Sequence, residues 1–366
     1  MPAGKQQVLI ISDITEWNPK FANDFSKKFE CIHYTVPAKK EDFFADLKGK
    51  LKNISAIWAM WAGFSAYGTK VGDDIISQLP KSVKIFAISP VGYDRYDIES
   101  FTKHGIIVSN SRALGSNAVA DIALHLLLST FRFTTALELS LRKEQNLFLA
   151  RSKINSTSFI DGKPKPRSDG SFAFGDNVGG RVVTSPAGHN CGILGLGAIG
   201  KNIARRVATL NMNVHYFTRT PIDPEILTAL PPMTAHSDLD EFFSVSDALI
   251  LALPLTEDTK YIVNATTLAK LPSGARIINV GRGGLINTDD LVAALDAGHI
   301  SAAGLDVYEA EPAIPANLLE RWDVTLLPHV GSATIETVEQ AENGIMANIE
   351  NVLLEGGRGI TPLNNI

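Results

Sequence analysis

The hexapeptide Gly195-Leu196-Gly197-Ala198-Ile199-Gly200 constrains this chain more than any other feature. It follows a short apolar run, residues 191–194. It opens a pattern in which Ile199, Ile203 and Val207 recur at helical spacing, followed by Leu210. Strand, glycine turn and helix form the context that G-x-G-x-x-G needs to act as a dinucleotide-binding fingerprint. Gly195 suits the tight turn, Gly197 the approach of a pyrophosphate, and Gly200 close packing of helix on strand. Ala198 and Ile199 begin the helix, whose free N–H groups and positive partial charge attract an anion. The plainer alternative is a glycine-rich turn that holds no ligand.

Around this motif, short apolar runs alternate with amphipathic stretches. Residues 8–12, 56–61, 85–89 and 106–108 read as buried strands in the first third of the chain. Residues 191–194, 214–218, 248–252, 276–280, 302–307 and 325–327 read the same way further on. Helical patterns cover 21–29, 73–79 and 334–354. The expected fold class is α/β, with doubly wound parallel sheets covered by helices on both faces. A length of 366 residues exceeds what one core usually serves, so two domains are expected. Residues 118–139 are apolar enough to bury more than one helix face, as a domain connector or subunit contact would. Residues 151–190 hold six Gly and three Pro and read as a long loop.

Composition narrows the function class. The net charge of −5 disfavours a protein that neutralises phosphates, so no nucleic-acid partner is expected. Cys31 and Cys191 are the two cysteines, which excludes a disulfide framework and a multi-cysteine metal site. No metal is expected, and free thiols suggest a reducing compartment. No run approaches the roughly 18 apolar residues of a membrane span. The first residues lack a leader pattern. The expectation is a cytoplasmic protein without a membrane partner.

The next strand after the fingerprint bears on the ligand. Sites for NAD place an Asp or Glu about 20 residues after the glycines. Here the strand 214–218 runs into Thr218-Arg219-Thr220. Arg219 suits the charge-assisted bonds of a 2′-phosphate, and the two threonines add hydroxyls. NADP(H) is the expected cofactor. A solvated surface arginine is the alternative, and nearby Asp223 weighs against the phosphate.

Three polar residues follow three consecutive apolar runs: Arg282, Glu311 and His329. Ligands of open parallel sheets bind beyond the carboxyl ends of the strands, so all three face one crevice. An imidazolium can protonate a carbonyl oxygen while hydride arrives at carbon. A carboxylate orients such an imidazole and stabilises its charged form. A guanidinium grips a carboxylate and polarises the neighbouring carbonyl. Together they describe reduction of a 2-oxo acid. Singly, Arg282 reads as a turn cap, Glu311 as a solvated loop residue and His329 as packing.

The motifs then meet a known pattern. Gly195–Gly200, Leu253-Pro254-Leu255-Thr256, Asn279-Val280-Gly281-Arg282-Gly283, the run from Ala303 to Pro312, and Leu327-Pro328-His329-Val330-Gly331-Ser332 occur in order. Val119-Ala120-Asp121 matches an entry helix. With these motifs the chain resembles the D-isomer-specific 2-hydroxyacid dehydrogenases over essentially its whole length. The resemblance implies two Rossmann-like domains with a cleft between them. A substrate domain, flavodoxin-like, takes residues 1–111 and 333–366, and a dinucleotide domain takes 112–332. It implies Arg282 on the substrate, His329 as general acid with Glu311 its partner, and Asp306 on the nicotinamide carboxamide with backbone help from Val280. Leu253 and Pro254 would flank the adenine. Thr259, Gly281, Gly331 and Ser332 complete the cofactor set. Val91 and Gly92 match the loop whose N–H groups take the substrate carboxylate. A homodimer is implied too, although the 151–190 excursion lacks the family's tryptophan.

Within the family the chain is most similar to NADPH-using fungal phenylpyruvate reductase and D-mandelate dehydrogenase types, and to plant hydroxyphenylpyruvate reductases. Trp58, Met60, Trp61 and Phe64 stand at the end of a first-domain strand. Trp58 and Met60 read as core, and Trp61 and Phe64 as lining for a phenyl group. The expected activity is reduction of an aromatic, phenylpyruvate-like 2-oxo acid to the D-2-hydroxy acid. A glyoxylate or hydroxypyruvate reductase is the second reading. A dinucleotide-sensing, corepressor-like binding protein is the third, and no interaction tail speaks for it.

Overall fold

The computed structural model of the chain describes residues 4–11, 18–60, 63–67, 70–89, 92–110, 114–166 and 175–366. They fall into two compact units: Met1–Leu114 with Thr334–Ile366, and Gly115–Ala333.

The first unit is built on β1 (Gln7–Ile11), β2 (Glu30–His33), β3 (Ile54–Ala59), β4 (Ile85–Ile88) and β5 (Ile107–Ser109). All pair in parallel, in the order β2-β1-β3-β4-β5. Successive side chains go to opposite faces. Leu9, Ile57 and Phe86 meet Phe43, Ile75 and Phe101 on one side. Val8, Ile10 and Trp58 meet Phe25, Ile345 and Ile349 on the other, with Met60 packed beside them. Ile345 and Ile349 belong to the helix Ile335–Leu354, capped by the Thr334 hydroxyl, which accepts the Thr337 N–H at 3.2 Å. That apolar stripe explains why the chain's last helix packs with its first strands.

The second unit opens with two helices, Ser116–Arg132 and Thr134–Glu144, where the sequence suggests one over 118–139. They meet at 68°, and Phe133 between them has φ of 49°. A left-handed conformation costs a non-glycine residue about 1–2 kcal/mol. Packing the Phe133 ring against Ala136, Ile154, Val178 and Ala302 offsets this, since burying such a side chain gains about 1.5–3 kcal/mol. Among the described residues no single helix is long and apolar enough to cross a membrane.

The loop expected over 151–190 is largely built in its described part. The helix Leu147–Asn155 runs into it, and β6 (Thr157–Ile160) and β7 (Lys163–Pro166) form an antiparallel ribbon. Their two-residue turn, Asp161-Gly162, has φ of 51° and 71°, the primed geometry that Asp-Gly favours. A second ribbon joins β8 (Asn177–Val178) to β9 (Arg181–Val182). Arg181 anchors it, donating to the carbonyls of Leu295 and Ile300 at 2.8 Å each and to Asp323 at 3.1 Å.

The large sheet comprises β10 (Asn190–Leu194), β11 (Asn213–Phe217), β12 (Met233–His236), β13 (Ala248–Leu251), β14 (Ala275–Asn279), β15 (Ile300–Leu305) and β16 (Val324–Leu326). The order is β12-β11-β10-β13-β14-β15-β16, all parallel. Ala120, Leu127, Ile203 and Val207 cover one face; Phe242, Leu268, Leu291 and Leu318 cover the other. Strand order reverses between β10 and β13, which opens a crevice at their carboxyl ends.

Candidate active site

The glycine turn follows β10. Gly195 has φ of +99°, and its N–H donates to the Phe217 carbonyl at 2.9 Å, fixing the turn to β11. A β-carbon on Gly200 would lie 2.1 Å from the Gly195 oxygen, so only glycine permits this approach of helix and turn. Gly197 is different. Nothing lies within 4 Å of where its β-carbon would be, and it precedes the helix Ala198–Ala208 with no side chain capping the helix start. Open space beside uncapped N–H groups fits a dinucleotide pyrophosphate. Ala198 is exposed there, while Ile199 turns toward the core.

Thr218 is half-buried after β11, and Arg219 and Thr220 are exposed. Arg219 lies 3.7 Å from Asp258, with both side chains more than 80% exposed (83% and 84%). Such a pair contributes about 0–1 kcal/mol, so the guanidinium is available to a stronger anion. Asp258 sits in the segment after β13. There Thr259 Oγ1 donates to the Pro254 carbonyl at 2.8 Å and accepts the Thr256 N–H at 2.7 Å, holding the Leu253-Pro254 turn. Arg219 and this turn flank the fingerprint on its two sides.

The polar residues gather beyond β14, β15 and β16. Asn279 ends β14 and is 1% exposed. Its Oδ1 accepts the Gly281 N–H at 3.0 Å, and its Nδ2 donates to the Arg282 carbonyl at 2.9 Å. Arg282 donates to the Gly281 carbonyl at 2.8 Å. Sequence reasoning passed over Asn279 as a positioning residue. Its signal was a lone amide at the end of an apolar strand.

Asp306 follows β15, buried, and accepts the N–H groups of Val330 and Gly331 at 2.8 Å each. Burial raises its carboxyl above the ordinary range, and these two bonds pull only part of the way back. The Tyr308 hydroxyl donates to the Leu327 carbonyl at 2.6 Å. Burial, helped by Asp306, pushes this phenol up to about 12, so it remains a donor at neutral pH.

His329 follows β16 with φ of 54°, a conformation that costs a non-glycine residue on the order of 1–3 kcal/mol. Its neighbours hold it there: Tyr308 grips Leu327, and Asp306 grips Val330 and Gly331. His329 Nδ1 lies 3.1 and 3.0 Å from the two Glu311 oxygens. The Glu311 carboxylate also accepts the Tyr308 N–H at 3.1 Å. The structure therefore brings Asp306, Glu311 and His329 together at one end of the sheet, with Arg282 on the adjacent strand end. Val280 and Gly331 are buried beside them, and Ser332 is exposed.

The expected substrate contacts fare differently. Trp61 and Val91 lie outside the described residues. Gly92 is half-buried in the first unit, after β4. Phe64, read from sequence as lining, is 6% exposed, with ring centroids of Phe43 and Phe86 at 5.8 and 5.9 Å. It is core packing: the apolar interior of the first unit takes the ring. Among the described residues no group of ligating side chains gathers that would hold a metal.

Comparison with known proteins identifies the family and the fold. The family model for "D-isomer specific 2-hydroxyacid dehydrogenase, NAD binding domain" matches residues 171–331. The 4-methyl-2-oxopentanoate reductase A of Aspergillus oryzae is 30% identical over 88% of this chain and 87% of its own. The holo D-mandelate dehydrogenase of Rhodotorula graminis superposes with a TM-score of 0.86, at 31% identity over 99% of this chain and 98% of that one. An NADPH-dependent glyoxylate/hydroxypyruvate reductase of Sinorhizobium meliloti, in complex with NADP and malonate, gives 0.74 at 29% identity over 98% and 97%. Two parallel α/β units, one matched as an NAD-binding domain, and relatives that are reductases and dehydrogenases place the chain among the oxidoreductases. The chain belongs to the D-isomer-specific 2-hydroxyacid dehydrogenase family.

Proposed function

We propose that this enzyme reduces an aromatic, phenylpyruvate-like 2-oxo acid to the D-2-hydroxy acid with NADPH. The observation that carries the reading is the pair of contacts, 3.0 and 3.1 Å, between His329 Nδ1 and the Glu311 carboxylate. With Nδ1–H committed to Glu311, Nε2 is the nitrogen that delivers a proton to the carbonyl oxygen. Arg282 grips the substrate carboxylate and polarises the carbonyl. Residues 195–200, Leu253, Pro254 and Asp306 would hold the dinucleotide, which when bound would supply the hydride. Carbonyl, hydride and proton together give the alcohol, and the imidazole regains its proton from water.

Arg219, between two threonine hydroxyls and without a carboxylate at Thr218, supports NADPH. The name of the Sinorhizobium meliloti neighbour points the same way. The name of the mandelate dehydrogenase supports an aromatic substrate. The core position of Phe64 favours a second reading, a glyoxylate or hydroxypyruvate reductase with the same machinery. A homodimer fits the run Leu147-Phe148-Leu149, whose side chains are all exposed, and the two free thiols favour a cytoplasmic location. The deciding experiment compares initial rates with phenylpyruvate, 4-methyl-2-oxopentanoate and glyoxylate, each with NADPH and with NADH. Fastest turnover of phenylpyruvate with NADPH is expected. Turnover of glyoxylate alone favours the second reading.

A further inference from the structure

The active-site residues leave one polar cluster unused. Glu309 lies between Tyr308 and the Glu311 that holds His329, and it is exposed at the surface. Its Oε1 accepts a short hydrogen bond from the Tyr261 hydroxyl. Its Oε2 accepts the Thr288 hydroxyl at 2.8 Å and the Thr288 N–H at 3.3 Å. Tyr261 and Thr288 are remote from Glu309 in sequence but adjacent to the Arg282 segment. The Tyr261 N–H donates to the Gly284 carbonyl at 2.9 Å, and the Val263 N–H to the Leu285 carbonyl at 3.0 Å. Gly283, Gly284 and Leu285 form the turn that follows Arg282. Asn287 then caps the helix Thr288–Asp296 through its own side chain, so the helix does not need Glu309 as its cap.

Tyr261 holds φ of 51°, a region that bulky residues avoid. Tyr261 is half-buried, held by its backbone bond to Gly284 and its hydroxyl bond to Glu309. Burial raises the Glu309 carboxyl, but the bonds from Tyr261 and Thr288 outweigh it and the net direction is down. The carboxylate is therefore ionised at neutral pH, and its hydrogen bonds are charge-assisted.

We propose that Glu309 is a positioning residue: through Tyr261 and Thr288 it fixes the segment carrying Arg282 against the segment carrying Glu311. Arg282 and His329 must meet one substrate from two strand ends. The brace sets their spacing without touching substrate or cofactor. This rests on the assignment of Arg282, Glu311 and His329 to the reaction.

The test uses the full-length enzyme with Glu309→Ala, Glu309→Gln, Tyr261→Phe and the double variant Glu309→Ala/Tyr261→Phe. Misplacement by a fraction of an ångström should lower kcat about 10-fold in Glu309→Ala and raise KM for the 2-oxo acid, with the NADPH dissociation constant within about twofold. In Glu309→Gln the amide oxygen still accepts from Thr288 and the amide N–H can donate to the Tyr261 oxygen, so this variant should recover most of the loss. The double variant should be no slower than Glu309→Ala, because both changes break one brace. Amide hydrogen exchange supplies a readout that needs no turnover. In Glu309→Ala, exchange should quicken in residues 281–286 as well as in 307–312. Faster exchange confined to 307–312, or a kcat within twofold of wild type, overturns the brace. A wild type inactive on every 2-oxo acid, with 281–286 still responding, sinks the functional reading and leaves the brace standing.

Discussion

Replacing Gly283 with alanine tests how tightly the Arg282 segment is set against the segment that leads to Glu311. A β-carbon on Gly283 would fall 1.8 Å from the Tyr308 carbonyl carbon, 2.0 Å from its oxygen and 2.4 Å from the Glu309 nitrogen. Non-bonded carbons settle about 3.5–4.0 Å apart, so the two backbones must part by roughly 1.5–2 Å. All three clashing atoms are main chain, and no side-chain rotation relieves them. Gly283 does not occupy the left-handed region, so the effect is one of contact alone. Overpacking of this kind costs about 1–3 kcal/mol, and the upper end is expected where backbone meets backbone. A displacement of about 1 Å in a catalytic group costs about 10²-fold in rate. Gly284→Ala is the control. Its β-carbon would lie 3.0 Å from Leu255 Cδ2, the end of a flexible side chain. The assay is kcat/KM for the 2-oxo acid together with urea unfolding of both variants. Gly283→Ala should lose about 100-fold in kcat/KM, while Gly284→Ala stays within about threefold of wild type. Equal behaviour of the two variants would refute the packing argument.

Two other predictions concern the cofactor and the first unit. Arg219→Ala should raise KM for NADPH about 10-fold or more, the worth of a charge-assisted bond to a phosphate, and leave KM for NADH within about twofold. Equal effects on both would remove Arg219 from the 2′-phosphate. Glu342 is fully buried, and burial, against a 2.7 Å bond from Asn18, raises its carboxyl. Its protonated form is favoured in the fold, so its contribution to stability is fully present below the ordinary carboxylate pKa of about 4.3 and is lost as pH rises through the folded value. Glu342→Gln keeps an acceptor for Asn18 and removes that loss. Its Tm should exceed that of wild type at pH 8, by about 2–4 °C for each kcal/mol recovered, and match it near pH 4. A lower Tm at pH 8 would contradict the assignment.

Much of this architecture was legible before the structure. The inner strands β1, β3, β4, β10, β13, β14 and β15 are buried on both faces, and their apolar runs announce them. The edge strands β2 and β12 are half-exposed and polar, so periodicity did not mark them. The break at Phe133 was hidden because its cause is tertiary: a ring drawn into a core built partly from residues far along the chain. The Asp161-Gly162 hairpin had a signal, two turn residues between short extended stretches, which the surrounding glycines and prolines masked. In the site, the placement of Arg282, Glu311 and His329 beyond neighbouring strand ends was legible from the sequence, and the structure adds the contact between Glu311 and His329. Asn279, Tyr308 and Glu309 were not, because their roles lie in which carbonyls and amides they reach. Phe64 went the other way: an aromatic beside a glycine looks like lining until its neighbours are known.

The central claim is that His329 transfers the proton while the dinucleotide site stands independently of it. The most direct measurement is the single-turnover rate of NADPH oxidation with saturating 2-oxo acid in wild type and in His329→Ala, alongside NADPH binding by fluorescence. The account predicts a rate loss of at least about 10²-fold, the share of a general acid, with the NADPH dissociation constant near wild type. A His329→Ala enzyme that turns over at the wild-type rate would contradict it.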